Sequence, residues 1–191
     1  MNAQAWDANE IARVLARQFF ASKNLVVVPE CGWTGYECDL LVVTMDLRII
    51  DVEIKVSRAD LKRDAGKDKW WRHLTTQEAR AKGIDTHRWD PWEHREPREW
   101  PHKVWKHYVA VPKNIWDDGL FNALPSTASG VLLLDRRADR GDRLFVQCQR
   151  RATPRRDAKQ ISPAAAIDIA RLASLRMWDS FAKLAANGVA S

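Results

Sequence analysis

The chain has 191 residues, 46% apolar and 29% charged, which excludes a wholly disordered polypeptide and suits one compact domain. No apolar run reaches the ~18 residues of a membrane span, and the opening MNAQAWDANE lacks the basic-then-apolar order of a secretory signal. Three cysteines (Cys31, Cys38, Cys148) without a CxxC pair argue against a disulfide framework or zinc ribbon, so a cytoplasmic setting and no membrane partner are expected.

Residues 7–21 have the apolar spacing of an amphipathic helix (Ile11, Val14, Leu15, Phe19), with Asp7 and Glu10 resembling a capping box. Three β-branched runs follow, at 25–28, 37–44 and 48–56. The short turn at 45–47 predicts that the last two form an antiparallel hairpin. Residues 57–74 read as a polar helix starting at Ser57, with a break expected at Gly66. Residues 75–105 form a long Trp/His/Arg-rich insertion, expected to be a functional or mobile loop. Strands are predicted at 108–112, 131–134 and, at an edge, 144–148. Ser162 and Pro163 open a C-terminal helix over 162–187, whose apolar stripe is Ile167, Ala170, Leu175, Trp178, Phe181 and Leu184. The order predicts a single α/β domain over residues 1–191 with a central mixed sheet.

Charge is unevenly spread. Residues 136–159 hold nine basic and three acidic side chains, an excess equal to the +6 of the entire chain. A polyanion suits such a patch, and so does a merely solvated surface. The candidate phosphate contacts there are Arg136, Arg137, Arg150, Arg151, Arg155 and Arg156, joined by Arg58 and Lys62. Ser57 suits either a phosphate hydrogen bond or the helix N-cap.

The hairpin carries the sharpest chemistry. Alternation puts Asp51, Glu53 and Lys55 on one face of the third strand and Ile50, Val52, Ile54 and Val56 on the other. Folding about Asp46 sets Asp39 opposite Glu53 and Glu37 opposite Lys55. Opposed carboxylates repel unless a cation lies between them. A hard divalent ion such as Mg²⁺, with Mn²⁺ able to substitute, fits Asp39 and Glu53, and the Ile54 carbonyl supplies a third oxygen. Lys55 is then placed to orient an attacking water or stabilise charge at phosphorus. A plain ion-paired hairpin is the competing reading.

Asp39 followed by Glu53-Ile54-Lys55, with VEIKVSRADLKRD (52–64), YVAVP (108–112), LP (124–125) and GVLLLD (130–135), resembles the PD-(D/E)XK nuclease superfamily and its MmcB-like group. The resemblance covers roughly residues 7–135 and implies a restriction-endonuclease-like αβββαβ core. It implies catalytic roles for Asp39, Glu53 and Lys55, with Glu10 joining from the first helix unless Glu10 merely caps that helix. Cys38 replaces the proline of the superfamily pattern. Asp60 and Asp64 match acidic positions after the lysine and are expected to be structural.

The five histidines all fall in 73–107 without an HxxxH pair, which argues against zinc. Trp70, Trp71 and Trp105 are expected in the core or pinning the insertion, while Trp89, Trp92 and Trp100 are open to nucleic acid or protein. The expected function is a Mg²⁺-dependent deoxyribonuclease, expected to act as an endonuclease, in DNA repair or phage DNA processing. DNA is its expected partner, and a homodimer is left open. The alternatives are a non-catalytic nucleic-acid-binding module and a protein-interaction factor.

Overall fold

A computed structural model describes residues 6–87, 90, 94–97, 103–137 and 143–188. Helix α1 (Ala8–Val14) is capped by Asp7, whose carboxylate accepts from the Asn9 amide. It widens into a π-helical turn over Leu15–Phe19, so the continuous helix expected over 7–21 is shorter. The sheet then begins with β1 (Asn24–Cys31), β2 (Cys38–Thr44) and β3 (Ile49–Ile54). Helix α2 (Arg58–Asp64) follows, with Ser57 as its N-cap. The remaining elements are β4 (Trp71–His73), α3 (Thr76–Ala81), β5 (Arg95–Pro97), β6 (Val104–Pro112), β7 (Gly130–Arg137), β8 (Arg143–Arg150) and α4 (Pro163–Gly188).

Six strands form one mixed sheet in the order β1-β2-β3-β6-β7-β8. β3, β6 and β7 run parallel, and the outer pairs are antiparallel. Pro29 sits in β1, an edge strand, where a missing amide is tolerated. Gly130 opens β7 where a Cβ would stand 2.4 Å from the Tyr108 ring, so only glycine lets these neighbours meet.

Alternation divides the core between two faces. Leu40, Val42, Ile50, Val52 and Ile54 pack against Ile11 and Leu15 from the α1 segment. Leu41, Val43 and Ile49 face the other way, onto Trp70 and the first turns of α4. Farther along that second face, Val109, Val111, Val131 and Leu133 pack with Leu61 of α2.

Two expectations change. The helix predicted over 57–74 ends at Asp64, and a short 3-10 turn at Asp68–Trp70 leads into β4. The described part of the insertion carries regular structure: β5 pairs with β4, and α3 has a Thr75–Glu78 capping box. Trp89, Trp92 and Trp100 lie outside the described residues. The C-terminal helix forms as expected, but its apolar stripe points away from the sheet. Trp178 and Phe181 are exposed, and the side that packs carries Ala166, Ile169 and Ala173. Small residues allow the closer approach of helix to sheet. No helix among the described residues is long and apolar enough to cross a membrane.

Candidate functional site: a buried carboxylate–lysine group

The β2–β3 pairing has the predicted register: Leu40 faces Val52, Leu41 faces Asp51 and Val42 faces Ile50. Asp39, one step beyond Leu40, is tied to β3 by its own side chain. The Ile54 amide donates to Asp39 Oδ2 at 2.6 Å. Ile54 therefore engages the acid through its N–H. Glu37 falls outside β2 and is exposed, so its predicted place opposite Lys55 is not taken up.

Glu53 and Lys55 point into the second face of the sheet, at 2% and 3% exposure. The Lys55 ammonium lies 2.7 Å from Glu53 Oε2, 2.9 Å from Asp64 Oδ1 and 3.9 Å from Asp39 Oδ2. One ammonium thus meets all three carboxylates. The change of direction after Asp64 brings two further lysines to them. Lys67 reaches Asp64 at 2.7 Å, and buried Lys69 pairs with Glu53 Oε1. Trp70 closes the group, donating from Nε1 to Asp64 Oδ2 at 3.3 Å and lying edge-on to His107.

The ionisation pattern follows from this crowding. Burial works against the Lys55 charge, but Glu53 and Asp64 outweigh it and raise its pKa, so it remains an ammonium. Burial likewise opposes the Asp64 charge, yet Lys55 and Lys67 hold it down at about 2. Asp39 is raised by burial and by the neighbouring Glu53 charge, against the Ile54 hydrogen bond. Asp51 sits deeper, with Oδ1 lacking a hydrogen bond. Burial, reinforced by Glu53 and opposed by Lys69, pushes it up to about 7. His107, paired with Asp51 across β3–β6, shares a 2.9 Å hydrogen bond with Ser129; burial, then Lys69, lowers it to about 3. Cys38 is buried beside Asp51, and its thiol is pushed up by burial first and by Asp51 second.

The other candidates lie elsewhere. Glu10 belongs to α1, on the opposite face from Glu53, and pairs with Arg136 at 2.6 Å; it therefore completes no capping box. Ser57 accepts from the Asp60 amide as a helix cap. Arg58 bonds Asp117 and the Ile115 carbonyl, and Lys62 is exposed. Arg136 also lies over the Trp6 ring. Arg150 donates to the Ser129 carbonyl, and Arg155 grips Asp157 through two hydrogen bonds. Arg151 and Arg156 remain exposed; the Arg137 side chain lies outside the described residues. Of the tryptophans expected to be structural, Trp70 is buried, Trp71 donates to the Ala65 carbonyl and Trp105 lies under Arg48.

Sequence reasoning missed Lys69 and His107 as members of this group; it set Asp51 on the face of Glu53 and Lys55 without giving it a role, and it favoured a structural role for Asp64. A signal was present for Lys67 and Lys69. A glycine after Asp64, followed by two lysines at alternate positions, marks a chain that leaves its helix and turns back.

The fold and site together define an α/β protein whose six-stranded mixed sheet buries a carboxylate–lysine network at the end of its third strand. No family model and no curated protein matches the chain. Among solved structures it is similar to the SPO1766 protein of unknown function from Silicibacter pomeroyi. That likeness has a TM-score of 0.51 at 18% identity and covers 96% of this chain and 93% of the other, which bears on the fold alone.

Proposed function

We propose that the chain is a divalent-metal-dependent nuclease of the PD-(D/E)XK type that hydrolyses DNA phosphodiester bonds. The observation that carries this reading is the convergence of Asp39 and Glu53, from neighbouring strands, on the Lys55 ammonium. The helix–three-strand–helix–strand order, the register and the position of the lysine two residues after Glu53 all agree with it. Three free cysteines suit a reducing, cytoplasmic setting.

The donor set fits a hard cation in part. Asp39 and Glu53 are oxygen donors; burial first and the Glu53 charge second raise Asp39, and a Mg²⁺ or Mn²⁺ ion held by both would relieve their repulsion. Among the described residues, no group of three His, Cys, Asp or Glu side chains is arranged to hold a metal, so water would complete the shell. When bound, the cation supplies Lewis acidity to the phosphoryl oxygen. The protein's own groups do the rest. The Ile54 amide fixes the Asp39 carboxylate. Lys55, kept protonated by Glu53 and Asp64, stabilises negative charge developing on the phosphate and does not abstract a proton. Lys67, half exposed at the mouth of the group, is positioned to meet a backbone phosphate.

One observation favours a second reading, a binding module without catalysis: Lys55 and Lys69 already satisfy both oxygens of Glu53. Asp39→Asn separates the two readings. The side chain is 40% exposed, and an amide oxygen still accepts from Ile54, so folding survives. With circular and linear, single- and double-stranded DNA in Mg²⁺, Mn²⁺ or EDTA, we expect metal-dependent cleavage that falls at least ~10²-fold in the variant. Cleavage unaffected by the substitution or by EDTA refutes the mechanism, and metal-independent binding without cleavage establishes the second reading.

A further inference from the structure

We infer that Lys69 is a positioning residue that gates the metal site: its ammonium holds Glu53 while no cation is bound, and passes to Asp51 when Glu53 takes a divalent ion. The inference rests on the reading of Asp39 and Glu53 as metal ligands, and adds to it a resident competitor and the acid that relieves it.

The competitor comes from a separate stretch of chain. Asp51 and Glu53 alternate along β3 and so project from the same face, about 6–7 Å apart. Lys69 belongs to the 3-10 turn at Asp68–Trp70, which follows the end of α2. It is 7% exposed, and its ammonium pairs with Glu53 Oε1 while Lys55 takes Oε2. Both oxygens of Glu53 are thus engaged, and a cation reaches one only if a lysine yields. The two lysines differ in what else holds them. Lys55 keeps Asp64 at 2.9 Å and Asp39 at 3.9 Å whether or not it keeps Glu53. Among the described residues, Lys69 forms its ion pair with Glu53 alone.

Charge requires that the yielding lysine be caught by an acid. Asp39, Glu53 and Asp64 are matched by Lys55, Lys67 and Lys69, so the group balances without a metal. A dication adds two positive charges where uncompensated buried charge is expensive. Asp51 is a further carboxylate on the same face, buried, with Oδ1 lacking a hydrogen bond. A buried acceptor without a donor is costly, and marks a place that a donor can fill. Lys69 is the cation whose charge bears most strongly on Asp51.

The way between the two acids is lined. The Lys69 ammonium lies over the Trp70 ring at 4.7 Å. That ring meets His107 edge-on at 4.8 Å, and His107 is paired with Asp51 across β3 and β6. An ammonium that keeps its contact with the ring can pass from one carboxylate to the other without losing every favourable partner. Lys69 therefore acts through Glu53, on how readily the site takes a cation.

Mn²⁺ binding to the full chain at pH 8, read without DNA from the electron paramagnetic resonance of the free ion, tests this apart from activity. Lys69→Met removes the competitor and should bind Mn²⁺ about tenfold more tightly than the wild type, because the site no longer spends time closed by an ammonium. Lys69→Gln, which keeps a polar group beside Glu53, should shift affinity in the same direction. Asp51→Asn removes the alternative partner and should weaken binding about tenfold. Combining Lys69→Met with Asp51→Asn should give the affinity of Lys69→Met alone, since Asp51 acts only through Lys69. Circular dichroism shows that each variant is folded, and Asp39→Asn identifies the site. Binding that is absent from the wild type, or indifferent to Asp39→Asn, removes the metal-ligand reading and this inference with it. Binding that depends on Asp39 but is no tighter in the Lys69 variants overturns the inference and leaves that reading standing. So does an Asp51→Asn loss that is as large without Lys69 as with it.

Discussion

Glu53 and Lys55 carry full charges at 2% and 3% exposure, whereas Trp178 and Phe181 hold aromatic rings 62% and 53% exposed. The end of β3 and the outer side of α4 thus depart from the usual partition of residues in opposite directions. Each departure is informative, because buried charge and contiguous exposed hydrocarbon both cost free energy. At β3 the cost is offset inside the chain: three lysines interleave with the carboxylates of Glu53, Asp64 and Asp39. At α4 nothing among the described residues covers the Trp178 and Phe181 rings beyond their own edge-to-face contact. One region is electrostatically closed, the other hydrophobically open.

The largest expected effect breaks the closed region. Glu53→Gln leaves Lys55 and Lys69 buried with a neutral neighbour, and loss of one partner from a buried ion network costs about 3–5 kcal/mol. Urea unfolding should show this, while Trp178→Ser should change stability by no more than about 0.5 kcal/mol. Equal effects at the two positions would mean that the comparison is mistaken. For the same reason Lys55→Ala is a poor probe of catalysis alone, since it strands Glu53 and Asp64.

A smaller effect sharpens the comparison through pH. Below pH 6.5 the unfolded chain protonates His107, while the folded chain holds it neutral down to about pH 3. Its contribution therefore makes stability fall as pH drops from 6.5 to 3. Asp51 acts in reverse. The folded carboxyl stays protonated up to about pH 7 where the unfolded one ionises near 3.8, so stability falls as pH rises between those values. The two slopes oppose each other between pH 4 and 6.5. His107→Gln should leave a urea midpoint that declines from pH 4 to 7, and Asp51→Asn should leave one that climbs. Asp64 adds a loss only below pH 4, as pH falls towards about 2. None of these slopes should change on Trp178→Asp, because no titrating group of the network lies on α4.

How far the sequence reveals this contrast depends on the range of the interactions. The β2–β3 register was legible because a three-residue turn and unbroken β-branched runs leave one pairing that keeps both faces consistent. The α4 stripe was equally legible as a pattern, but periodicity alone does not say which side of a helix meets the sheet. Here Ala166, Ile169 and Ala173 take that side, and the larger residues are left outside. The place of Lys69 was only partly legible, through the break expected at Gly66. Its contact with Glu53 depends on α2 stopping at Asp64, although helical propensity alone would permit a longer run. The arginines at 136–159 read as one patch because they are close in sequence. Folding engages Arg136, Arg150 and Arg155 with Glu10, Ser129 and Asp157.

That dispersal yields the smallest expected effect. Arg156 is exposed, whereas Arg155 is committed to Asp157. Each phosphate contact contributes about 0.9 to the slope of log affinity against log salt for duplex DNA. Arg156→Ala should lower that slope by about one such contact, and Arg155→Ala by less, because Arg155 already spends its fork on a carboxylate. Fluorescence anisotropy over a salt series measures both. Equal losses would mean that the Arg155–Asp157 pair opens on DNA and that the basic stretch acts as one surface after all. Unequal losses would separate side chains that hold the fold from those that meet the phosphate, a distinction that charge counting along the chain does not make.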